Sequence, residues 1–159
     1  MAKTVIIDEE TFYVYADLED VRLYNMAIVG SSWGTLDEKT QSQYLVMATR
    51  KIDLYNYTGQ KVSETQPLKF PRVMANGKTS DDEVLTNLCC QIATYYYTNG
   101  SSSSGGDSSN LLSQLKEYKL ADLQINFKDN ATIDLSGIDD FIEQALKDWL
   151  MSQSMEIWL

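Results

Sequence analysis

The sequence predicts a mainly α fold: a small helical bundle with a β-hairpin and a flexible C-terminal arm. Three observations predict it. Four stretches carry apolar residues at helical spacing behind a capping residue. One stretch, Leu123 to Asp134, alternates apolar with polar residues around an Asp129-Asn130 turn. A Ser/Gly-rich run from Asn99 to Asn110 separates the two kinds of pattern. The chain accordingly divides into a helical core domain over 1–98, a linker or loop over 99–110, and a unit over 111–159 holding hairpin, last helix and apolar tail. With 43% hydrophobic residues in 159, one sizeable core is expected.

The elements follow in order. Val5-Ile6-Ile7 is a short apolar run that Asp8-Glu9-Glu10 interrupts, and Phe12 to Tyr15 have strand propensity. Asp17 caps a first helix running through Leu18, Val21, Tyr24 and Ile28, which Gly30 and the serines after it end. Thr35-Leu36-Asp37-Glu38 fits a capping box with Thr35 as the cap. The second helix then places Gln41, Tyr44, Leu45, Ala48, Ile52 and Tyr55 within one arc of about 100°, and Gly59 stops it. Val46, Met47 and Leu54 fall outside that arc and are candidates for touching a partner.

Both prolines of the chain lie in Gln66-Pro67-Leu68-Lys69-Phe70-Pro71-Arg72. Proline fixes its own φ and restricts the residue before it, so this segment is a stiff spacer that sets Leu68 and Phe70 on the core. Ser80-Asp81-Asp82-Glu83 repeats the capping pattern with Ser80 as the cap, and Leu85, Leu88, Cys89, Ile92 and Tyr96 line one face of the third helix. The Ser/Gly run has a random-coil reach of roughly 20 Å. Ser136 caps the last helix with Asp139 at the box position. Ile138, Phe141, Ile142, Ala145 and Trp149 form its stripe. The expected core is Tyr44, Ala48, Ile52, Leu68, Phe70, Leu85, Leu88 and Ile92. The last residues, Met155, Ile157, Trp158 and Leu159 among them, form an apolar tail that folds back on its own domain or docks on a partner.

The composition excludes several kinds of chemistry. The chain has no histidine, so Ser-His-Asp and Cys-His arrangements are ruled out. The carboxylate clusters sit at helix starts or on polar helix faces, where acids are expected anyway. No phosphate-loop motif accompanies Gly100 to Gly106. Cys89 and Cys90 are adjacent and diverge on a helix, so they read as small buried residues rather than a bridge. The expectation is no enzyme and no cofactor or metal. No apolar run approaches about 18 residues, so no membrane partner is expected, and the start reads as an intracellular product.

The net charge is −10, and it is unevenly spread. Residues 1–20 hold one Lys against six acids. Residues 21–79 hold eight bases against four acids, and the remainder is acidic. A duplex-DNA binder shows a basic footprint, which this chain lacks outside that middle island. The island is a solvated face, or it meets the acidic flank of another copy as head-to-tail assembly requires. Arg50, Lys51, Lys69 and Arg72 are its candidate contact residues.

The order of these pieces resembles a known family. Tyr13-Val14-Tyr15-Ala16-Asp17 leads into the first helix and Trp33 follows. Ala48-Thr49-Arg50-Lys51-Ile52-Asp53 comes next, and then Gln66 to Arg72. The arrangement is similar to the head–tail connector (adaptor, head-completion) family of tailed bacteriophages, some of whose members are labelled DnaT-like single-stranded DNA-binding. The likeness covers residues 11–98 well and 115–150 loosely. Tyr57 departs from it, as do the long Ser/Gly run and the apolar tail. The resemblance implies a ring of about twelve copies, closed by heterologous contacts. Such a ring sits below the portal protein in the virion, extends the DNA channel and meets a tail or stopper protein. Genomic double-stranded DNA passes without tight binding, and assembly takes place in the host cytoplasm. The alternative is a single-stranded nucleic-acid binder, for which Tyr95, Tyr96 and Tyr97 would stack bases.

Overall fold

The computed structural model describes residues 2–102 and 136–151. The chain enters as a hairpin, β1 (Lys3–Ile7) against β2 (Glu10–Val14), with Ile7 opposite Glu10 and Lys3 opposite Val14. Asp8 and Glu9 form its two-residue loop and both have positive φ, 50° and 71°. That is the backbone twist a tight antiparallel connection requires. The acids that interrupt the apolar run are therefore the turn of a sheet. Val5 and Val14 face the core, while Ile6 and Tyr13 face solvent.

α1 (Leu18–Met26) starts at the expected cap. Asp17 accepts from the Asp20 amide at 3.0 Å, and Asp20 accepts from the Asp17 amide at 2.9 Å. After a 3-10 turn (Trp33–Thr35), α2 (Glu38–Asp53) is capped by Asp37, which accepts from the Thr40 amide at 2.7 Å. The expected cap Thr35 instead ends the preceding turn, where its hydroxyl donates to the Ser32 carbonyl. α3 (Asp82–Ser102) shows the same displacement. Asp81 accepts from the Glu83 amide at 2.9 Å, while Ser80 accepts from the Arg72 amide. In both places a carboxylate one or two residues downstream supplies the cap, since it carries charge as well as an acceptor.

Two two-residue strands, β3 (Gln60–Lys61) and β4 (Arg72–Val73), bracket the proline segment, in which the Phe70–Pro71 peptide is cis. α3 is the central helix and packs against α1, α2 and the last helix, α4 (Ser136–Leu146). Its apolar surface is correspondingly wider than one stripe: Cys90 and Ala93 are buried along with Leu85, Leu88, Cys89, Ile92 and Tyr96. Tyr44, Ala48, Ile52, Leu68 and Phe70 lie in the same core.

Two expectations change. α3 runs to Ser102, so residues 99–102 are helical rather than linker. α4 does not belong to a separate arm. Ile138, Ile142, Leu146 and Trp149 are buried in the common core, and Leu150 pairs with Tyr57. Gly137 permits the approach, because a Cβ there would stand 2.8 Å from the Tyr95 hydroxyl. The expected hairpin over 123–134, residues 103–110 of the Ser/Gly run, and Met155, Ile157, Trp158 and Leu159 lie outside the described residues.

Candidate interaction surface

The proline segment is built from the inside outward. Phe70 is 1% exposed and meets the rings of Tyr57 at 4.6 Å, Trp149 at 6.0 Å and Tyr15 at 6.3 Å, all edge-on. Edge-to-face contacts of this kind add to the burial of each ring. Arg72 locks the loop around them. Its guanidinium donates to the carbonyls of Gly59 (2.8 Å), Thr58 (2.9 Å), Lys69 (3.2 Å) and Tyr57 (3.3 Å). Gln66 donates to the carbonyls of Leu68 and Pro71 from the other side. Lys69 donates to the Tyr55 carbonyl at 2.6 Å. Gly59 is required, since its φ is 77° and a Cβ would come within 2.6 Å of the Val73 carbonyl oxygen. Lys69 and Arg72, read as outward contact residues, therefore serve their own backbone.

A buried polar link ties this segment to α2. Tyr15 donates its hydroxyl to Asp53 at 2.5 Å, the Phe70 amide donates to the Tyr15 oxygen at 3.1 Å, and the Lys69 amide donates to Asp53 at 3.4 Å. Burial raises the Asp53 pKa, and the hydrogen bonds from Tyr15 and Lys69 offset only part of that rise. Burial and the neighbouring carboxylate also raise the Tyr15 pKa. Lys51 turns toward α4: it pairs with Asp139 at 3.1 Å and lies over the Tyr55 ring, and Tyr55 donates to the same carboxylate. Burial opposes ionisation of Asp139, but the bonds from Tyr55 and Lys51 outweigh it and lower its pKa. The carboxylate expected at a capping-box position forms a tertiary clasp.

Of the α2 candidates, Val46 is buried in the core and is not a surface residue. α2 packs against both the hairpin and α3, so its buried face exceeds the expected arc. Met47 (half-buried), Arg50 (exposed) and Leu54 (37% exposed) remain. Their spacing of three and four residues sets them in one stripe along the helix. Arg50 has no partner among the described residues.

The other cations are mostly engaged. Lys3 pairs with Asp20, Arg22 with Glu19, Lys39 with Asp8 and Lys78 with Asp148. The tyrosine run is engaged as well. Tyr95 packs edge-on against Phe141 at 5.3 Å, Tyr96 is buried, and Tyr97 packs against Trp33 and Tyr44. Cys89 and Cys90 are buried thiols, and burial pushes the Cys89 pKa up to about 11. Among the described residues no His/Cys/Asp/Glu group has metal-holding geometry, and no helix is long and apolar enough to cross a membrane.

A second uncovered surface was not singled out in the sequence. Leu23 and Met26 on α1, with Ile28 and Val29 after it, are exposed, and Val29 is wholly so. Asn25 inside this stretch is buried and shapes it, donating to the Val21 carbonyl and Thr94 and accepting from Ser31. Periodicity hides the patch, because Val21, Tyr24 and Ile28 read as one inward stripe.

Residues 10–158 match the model of a family described as "Putative DnaT-like ssDNA binding protein". The chain belongs to that family. No curated protein and no solved structure matches it. Within the described residues, the aromatics that would stack bases are packed against protein, and the basic side chains left over lie apart in the chain, Arg50 on α2, Lys61 on β3 and Lys147 in the turn after α4.

Proposed function

We propose that this DnaT-like family member is a structural subunit of a tailed-phage head–tail connector. It forms a ring with copies of itself below the portal, continues the DNA channel toward a tail or stopper protein, and performs no catalysis. The observation that carries this reading is how the charges are used. Six of the eight basic residues of the middle island are paired with acids or bound to backbone carbonyls, and the other two, Arg50 on α2 and Lys61 on β3, lie on different elements, so the island does not form a phosphate-binding strip. The apolar side chains of α1 and the loop after it stay uncovered. A net-acidic subunit lining a channel repels phosphates and lets DNA slide, whereas a basic wall binds DNA and releases counterions. Exposed apolar patches on a subunit are covered by neighbours.

The second reading is single-stranded DNA binding, favoured by the family description. It would place the contact on residues 103–135, which hold Lys116, Lys119 and Lys128 alongside five acids. One experiment separates the two. Sedimentation velocity, with and without portal protein, is run beside a fluorescent-oligonucleotide titration at about 50 and 200 mM salt. The connector reading expects self-association or portal binding, and oligonucleotide affinity no tighter than the non-specific range of about 10⁻⁴–10⁻⁶ M. A chain that stays monomeric, ignores portal and binds the oligonucleotide tightly with a steep salt dependence is a DNA-binding protein instead.

A further inference from the structure

A cleft of about 460 Å³ opens between the start of β1, the proline segment and the first turn of α3. Its size falls within the range of specific binding pockets. Phe70 and Leu85 contribute an apolar floor, and Asp20, Asp82 and Glu83 line it with three carboxylates. One cation, Lys3, also lines it, and it is already paired with Asp20. The lining therefore carries an excess of negative charge over an apolar base. That combination suits a group with a cationic head and a hydrocarbon stem.

The molecule carries such a group elsewhere. Arg50 is exposed on α2, lacks a partner among the described residues, and is flanked along its stripe by Met47 and Leu54. Arg50 does not line the cleft, so within one copy the two features are separate surfaces. Resting on the connector reading, we infer that the cleft at the start of α3 receives the Arg50 side chain of a second copy, with Glu83 as its carboxylate partner. Met47 and Leu54 cover the mouth of the cleft. A contact between two different surfaces is heterologous, so it repeats from copy to copy and closes into a ring if the rotation permits. The net charges of the two surfaces are opposite, which favours this docking and disfavours cleft against cleft.

The test is charge exchange, read by sedimentation velocity on the full chain. Arg50→Glu alone and Glu83→Lys alone are each expected to weaken self-association at least about tenfold, because each sets like charges together. An equimolar mixture of the two variants restores assembly, since each supplies the surface the other retains in complementary form. The double variant Arg50→Glu/Glu83→Lys restores it within one chain. Helical circular dichroism checks the fold, and Arg50→Gln with Glu83→Gln serve if a reversal unfolds the chain. Wild-type assembly that both single reversals leave intact overturns the inference but not the connector reading. So does loss of assembly that neither mixture nor double variant repairs. A wild-type chain that is monomeric with and without portal overturns both.

Discussion

The stretch from Tyr57 to Arg72 and the stretch from Leu23 to Val29 treat their side chains in opposite ways. The first holds Tyr57, Lys69, Phe70 and Arg72, side chains of the kinds usually taken to mark a contact surface, and all four are consumed internally. Arg72 alone donates to four carbonyls, and Phe70 sits among three rings. The second turns Asn25 inward and leaves its apolar Leu23, Met26, Ile28 and Val29 in water. Residue type is thus a poor guide to partner contact in this chain. A satisfied arginine is architecture, and an unsatisfied valine is the better sign of a missing neighbour.

The sharpest way to break that contrast is to remove the centre of the first region. Phe70→Ala should cost about 3–5 kcal/mol, read from urea unfolding, because it deletes a fully buried ring and leaves a cavity. A cost below about 1 kcal/mol would mean the segment is surface after all. Arg72→Met comes next, at about 1–2 kcal/mol, since it removes the one side chain that ties four carbonyls of the loop together. Arg72→Lys should recover little, as an ammonium cannot span the same fork.

Asp53 gives a smaller, signed effect. Its folded pKa is raised above the ordinary Asp value, so the stability linked to its protonation is present below that ordinary value and is lost as pH rises through the folded one. Asp53→Asn should remove this slope. The wild-type minus variant difference in unfolding free energy should therefore fall as pH rises from the ordinary carboxylate range to neutrality. A difference that is flat with pH would place the carboxylate in solvent. The smallest expected change in stability is in the second region. Val29→Ser should shift the unfolding free energy by no more than about 0.5 kcal/mol while lowering self-association measured by sedimentation. A large loss of stability with unchanged association would show that Val29 belongs to the core.

Much of the helical framework was legible in the residues. Asp17 announced its cap, and Ile138 and Ile142 announced the buried face of α4, because capping chemistry and a strong helical period are local. Leu68 and Phe70 were legible because proline restricts the segment that bears them. The rest depended on what lies opposite. Val46 is buried because α2 has two neighbours, and no single arc reveals the second. Thr35 and Ser80 lost their capping positions to Asp37 and Asp81, a competition between adjacent good caps that propensity does not resolve. The Asp8–Glu9 turn was hidden because it lacks glycine and glutamate is uncommon at positive φ. Among the proposed contact residues, the direction of a long basic side chain can depend on an acceptor far along the chain, as with Lys51 and Asp139.

The clasp between Lys51, Tyr55 and Asp139, with the strand-like pairing of Leu150 to Tyr57, has a consequence during synthesis. One wall of the hydrophobic interior comes from residues that emerge from the ribosome more than thirty positions after α3 is finished. Until then Phe70 lacks Trp149 and Tyr95 lacks Phe141. The nascent chain must wait with that seam open, and a product truncated ahead of Ser136 would never close it.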